Sequence, residues 1–195
     1  MKRTALLATL AMALTTGLAQ AESWKLDGSN SRLGFGSVKN HYNGEAHSIT
    51  GLSGTVTDGK AEIMIDLSTV QTNIDIRNER MVEHVFKNAP AATLTADLDM
   101  KMLSRMSAGD TNVLEVEATL SFLDQDVDIY TEMFVARMSD DRVLVTTNDM
   151  LYIATDELGI DGGINMLQEL ASLDDITRSV PVTLRMVFDL QDTAS

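Results

Sequence analysis

Arg77 and Arg80 are the residues of this chain whose type and setting best fit a binding chemistry. They sit in a short amphipathic stretch with Asn73, Asn78 and His84 close by. A guanidinium there can hold a phosphate or carboxylate head group through paired hydrogen bonds. The competing use of either arginine is an ion pair with Asp75, Glu79 or Glu83. Other chemistries have weaker support. His41 and His47 lie six positions apart across a glycine-containing loop, which fits neither HExxH nor a compact zinc spacing. We expect surface or capping histidines and no metal site. No GxSxG elbow is present, and Leu52-Ser53-Gly54 reads as strand. With 29 acidic residues, paired carboxylates carry no signal. Gly162-Gly163 lacks the lysine of a phosphate loop and reads as the start of a helix. The chain has no cysteine, which removes thiol nucleophiles, Cys-ligated metals and a lipid anchor on cysteine. No cofactor is expected.

The elements that must position Arg77 and Arg80 differ in hydrophobic period. Asp58-Gly59 signals a two-residue hairpin turn. After it, Ala61, Ile63, Ile65 and Leu67 alternate with polar residues, as in a half-buried strand. From Ile76 to Phe86 the period becomes helical, with Met81, Val82, Val85 and Phe86 on one side. Asp75 can cap this helix, and Pro90 ends it nearby.

The rest of the chain is mostly alternation. A first strand carries Leu33 and Phe35, Asn40 to Ala46 reads as a loop, and a second strand carries Leu52, Gly54 and Val56. Thr93 to Met102 places Leu94, Ala96, Leu98, Met100 and Met102 on one face. Val113 to Phe122 does the same for Leu114, Val116, Ala118, Leu120 and Phe122. Asp124-Gln125-Asp126 is the expected turn before Val127, Ile129, Thr131, Met133 and Val135. Val143, Val145 and Thr147 align next, and Leu151 to Ala154 forms a short strand. A second helix begins at Asp161, with Ile164, Leu167, Leu170 and Ala171 at helical spacing. Ser179 to Leu190 makes the longest alternation, with Val182, Leu184, Met186 and Phe188 inward. About eight strands and two helices result. Meanders of this length close into a barrel or stack into a sandwich, and the pattern leaves both open.

Residues 1–21 have the form of a secretory signal: Lys2 and Arg3, an apolar run from Ala5 to Leu18, and the small-residue site Ala19-Gln20-Ala21. Cleavage is expected after Ala21, which leaves residues 22–195 as one domain in the periplasm. No later stretch has about 18 apolar residues in a row, so no transmembrane helix is expected. A formal charge of −14 argues against nucleic acid and against anionic membranes bound through charge.

Four stretches carry a resemblance. GTVTDGKAEIMIDLSTVQTNIDIRNERMVEHVF at 54–86, APAATLTADL at 89–98, SNSRLGFGSVKN at 29–40 and LGIDGGINMLQELASLDDITRSVPVTLRMVF at 158–188 are similar to the YceI-like family of secreted bacterial proteins. The resemblance implies a mainly β fold, an eight-stranded antiparallel lipocalin-like barrel with two short inserted α-helices. It also implies a non-enzymatic protein that binds a long apolar chain inside the barrel: a polyisoprenoid, an isoprenoid quinone or a fatty-acid derivative. The family pattern has an arginine at the start of the first helix, which Arg77 matches. The turn at Asp124-Gln125-Asp126 departs from it, since the family has glycine there.

On that reading the apolar tunnel is lined by Phe35, Ile65, Leu67, Val82, Phe86, Leu98, Ala118, Leu120, Met133, Val145, Leu184 and Met186. Arg77 and Asn78 face the head group. The partner is an isoprenoid or long-chain lipid; a homodimer stays open. Two alternatives remain beside the carrier. A barrel filled by its own side chains would act through protein contacts. A lipid-processing enzyme would need a buried polar group, for which Thr131 and Thr147 are the candidates.

Overall fold

The structure, a computed structural model, describes residues 22–191. The expected signal segment therefore lies outside the described residues. Ten strands follow one another: β1 Ser23–Leu26, β2 Arg32–Lys39, β3 Asn43–Thr57, β4 Lys60–Gln71, β5 Ala91–Asp97, β6 Thr111–Phe122, β7 Gln125–Ser139, β8 Arg142–Thr147, β9 Leu151–Ala154 and β10 Ser179–Leu190. Helix α1, Asp75–Arg80, runs into a π-helical turn over Met81–Val85, and α2 spans Asp161–Leu170.

All strand pairs are antiparallel. Strands β2 to β8 pair in succession, and β10 pairs with both β2 and β8, so the sheet closes on itself. The ten segments occupy eight positions. β1 lies between β10 and β3, continuing the line of β2, and β9 pairs with β10 beyond the end of β8. Closure removes the exposed edges that an open sheet would leave. It also follows from the alternation, because one apolar face shared by every strand is buried most completely by curling inward.

A polar clasp holds the seam. Asp27, in the gap between β1 and β2, accepts from Ser29 and Asn30 and from the Arg142 guanidinium, whose other arm reaches Asp189 at 2.7 Å. Those bonds from Ser29, Asn30 and Arg142 hold the Asp27 carboxyl well below the usual carboxylate range. Ser31 bridges the same gap, donating to Asp27 O and accepting from the Val187 amide.

Three sequence expectations shift. Asn43 already belongs to β3, so Glu45 lies on a strand and not in a loop; the connection narrows to Asn40–Tyr42, with Asn40 and His41 at positive φ. The strand expected to run to Met102 ends at Asp97, and residues 98–106 fold under the barrel with Met100, Met102 and Leu103 still packed on its core. The turn expected at 124–126 is Leu123-Asp124, both at positive φ, and Gln125 already pairs with Phe122. The Asp58-Gly59 turn has the positive φ at both positions that its type requires, and a Cβ on Gly59 would lie 2.4 Å from Leu98 O.

Candidate functional site

The interior is not filled. Two chambers lie inside the ring, and no residue lines both. The larger, about 410 Å³, lies on the helix side, where α1, the π-helical turn and α2 bound it. The smaller, about 130 Å³, lies at the far end around Trp24, Met133 and Phe188 and is bounded almost entirely by carbon.

Strand period sets most of these walls. Phe35, Ile65, Leu67, Phe86 and Leu120 line the helix-side chamber. Leu98, Ala118, Met133, Val145, Leu184 and Met186 line the far one. The expected tunnel residues are thus brought inside, but divided between two spaces. Val82 is the exception. The Phe86 amide bonds to Met81 O, five residues back, so the helix widens into a π turn. That turn presents Met81, Val85 and Phe86 to the chamber and leaves Val82 half-buried beside it. Helical periodicity read straight through the stretch had no means of locating the widened turn.

On one side the helix-side chamber is polar. Glu45 sits at the centre of a cluster, accepting from Lys39 at 2.9 Å and from Arg77 Nη1 at 2.6 Å. Arg77 also donates from Nη2 to Thr72 O at 2.6 Å. Its partner is therefore a strand glutamate distant in sequence, and not Asp75, Glu79 or Glu83. His47 is buried, stacks at a tilt on Phe35, and shares a hydrogen bond of 3.0 Å between Nε2 and Ser37 Oγ. Lys39, Glu45, Ser37, His47 and Arg77 all line the chamber. His47 is thus neither a surface nor a capping histidine. Sequence reasoning did not single out Ser37, Lys39, Glu45 and His47 as site residues; their alternation was the available signal, and the loop reading of 40–46 hid it at Glu45.

Electrostatics follow from this packing. Burial opposes ionisation of Glu45, but the Lys39 hydrogen bond and the Arg77 charge outweigh it and hold the carboxyl below its ordinary value. Burial, and then the Arg77 charge, push the His47 imidazolium down, so the ring is neutral at pH 7. Three buried side-chain nitrogens among the described residues have no partner within the protein: Arg77 Nε and His47 Nδ1 in this cluster, and Trp24 Nε1 at the far chamber. A buried donor left unmet is costly, and Arg77 Nε–H is one.

The other expected mouth residues have different work. Asn78 turns its side-chain oxygen to the Thr72 amide at 2.8 Å and hydroxyl at 2.7 Å, fixing the approach to α1; it does not line the chamber. Arg80 does line it, whereas Asn73 lies in a positive-φ turn and His84 outside the chamber. Thr131 lines the far chamber, with its hydroxyl on Glu132 O, and Thr147 Oγ1 accepts from the Leu184 amide. Among the described residues no helix is long and apolar enough to cross a membrane, and no group of three metal-ligating side chains occurs.

No protein-family model matches the chain, and no curated protein does. Several solved structures do, including these two. One is a polyisoprenoid binding domain from Saccharophagus degradans implicated in plant cell wall breakdown: TM-score 0.84, 33% identity, covering 86% of this chain and 98% of that one. The other is BcnA from Burkholderia cenocepacia: TM-score 0.63, 14% identity, covering 83% of this chain and 98% of that one, a likeness of fold alone.

Proposed function

The chain belongs to the YceI-like family, and from that premise we propose that it is a binding and carrier protein for a long-chain apolar ligand. The ligand class is a polyisoprenoid, an isoprenoid quinone or a fatty-acid derivative, held with its tail inside the barrel. The single observation that carries this reading is the helix-side chamber: about 410 Å³, walled mostly by apolar side chains, with one polar cluster at its side. Its support is also by kinship, since a relative at 33% identity is named as a polyisoprenoid binding domain.

The energetics suit such cargo. Each methylene taken out of water contributes about 0.8 kcal/mol, so a tail needs no specific polar contact to bind. Arg77 and His47 add direction. With Glu45 already engaged by Lys39 and Arg77, the groups left for a head group are the unpartnered Arg77 Nε–H and His47 Nδ1. We place the carrier in the periplasm, released from its signal segment after Ala21, and assign it no catalytic step.

Native purification without detergent followed by mass spectrometry tests the reading. A co-purified prenyl or acyl compound, lost on organic extraction and regained on resupply, is the expected result. Protein that neither carries nor takes up any prenyl or acyl chain would overturn it.

A further inference from the structure

We infer that Leu52, with Leu33 and Leu184, forms a waist across the barrel that limits how far an apolar tail penetrates, and so sets the tail length that the protein accepts. This rests on the carrier reading above and specifies which ligands it favours.

The division between the chambers falls at one level around the ring. On β4 it runs between Ile63 and Ile65, on β6 between Ala118 and Leu120, and on β10 between Leu184 and Val182; the first of each pair lines the far chamber and the second the helix-side one. Leu52 pairs with Ile65 across β3 and β4, at this level. It shares the inward face of β3 with Val56 and is only 4% exposed, yet it lines neither chamber. A buried inward side chain that bounds neither space occupies the lumen between them. Leu184 belongs to the same buried cluster, and Leu33, its register partner on β2, packs against both clusters.

The consequences for cargo are physical. A short tail is housed wholly on the helix side. A longer tail reaches the waist, and its end gains burial only if Leu52 leaves its packed position. Beyond the waist lies a space whose exposed wall is almost entirely carbon, although Thr95, Asp99 and Thr131 also line it, and such a wall suits hydrocarbon. The waist therefore penalises long tails without touching short ones.

The test titrates delipidated protein with two prenyl alcohols delivered from phosphatidylcholine vesicles, farnesol (short) and solanesol (long). Leu52→Ala opens the waist. Its affinity for farnesol should stay within about twofold, while that for solanesol rises about tenfold or more, the gain from burying two further methylenes. Leu184→Ala should act in the same direction and serves if Leu52→Ala fails to fold. Adding Ala118→Phe refills the far chamber and should cancel the solanesol gain. Equal gains for both alcohols, no gain for solanesol, or a gain that survives Ala118→Phe would overturn the waist alone. Wild-type protein that binds neither alcohol would overturn the carrier reading, and the waist with it.

Discussion

At the scale of single residues, His47 is where packing overrode expectation. Histidine is commonly solvent-facing or a ligand, and nothing in the chemistry of its neighbours Ala46 and Ser48 separates those roles from a buried one. Pairing does: His47 stands opposite Phe35 across β2 and β3, facing the chamber, with Lys39, Glu45 and Arg77 as the charged groups around it. Its folded value is depressed, so the unfolded chain binds the extra proton first as pH falls. Stability from this group is complete above the ordinary histidine value, about 6.5, and is lost as pH falls below it. Urea midpoints at about pH 7.5 and pH 5.5 should therefore differ more for the wild type than for His47→Gln. An identical difference in both would show that the ring does not titrate this way. Glu45 and Asp27, both held low, lose their contributions only in the carboxylate range, so the two acid transitions are separable.

At the scale of elements, the segment after α1 decides how the helices meet the barrel. Because the helix widens at Met81, Val85 is buried to 1% exposure while Val82 stays half-buried beside the chamber. Val85→Ala should cost about 2 kcal/mol in chemical denaturation and Val82→Ala clearly less, an order that a continuous α-helix with both on one face would not produce. Gly163 makes the other contact. A Cβ there would fall 2.3 Å from His84 O and 2.6 Å from the Val85 Cα, so α2 lies directly on the π turn. Gly163→Ala has the His84–Val85 backbone to push and should lose about 1–3 kcal/mol, read as a lower thermal midpoint. Gly162, with open space around it, provides the control: Gly162→Ala should leave the midpoint close to that of the wild type. The sequence placed a glycine pair at the start of this helix; which of the two is squeezed is decided by the turn it rests on.

At the scale of the molecule, closure and content govern behaviour together. A ring of eight strand positions closes through β8, β10 and β2, and the clasp of Asp27, Arg142 and Asp189 lies across its seam. Ligand that binds only the closed ring stabilises it by mass action, so saturating a carrier to about 100 times its dissociation constant should add about 2.7 kcal/mol. A thermal midpoint that does not move on loading with solanesol or farnesol would separate uptake from the folded interior. What the sequence determined by itself was local: strand period, the Asp58-Gly59 turn, two helices, and which faces of β3 to β7 and β10 are apolar. These follow from alternation and turn chemistry, which act between near neighbours. Only the tertiary structure decided that β1 with β2 and β8 with β9 each share one position, that the lumen divides into two chambers at Leu52, and that Ser37, Lys39, Glu45, His47 and Arg77 meet at one wall. Those outcomes depend on register and closure between segments far apart in the chain. Periodicity says which way a side chain points, but not what it meets.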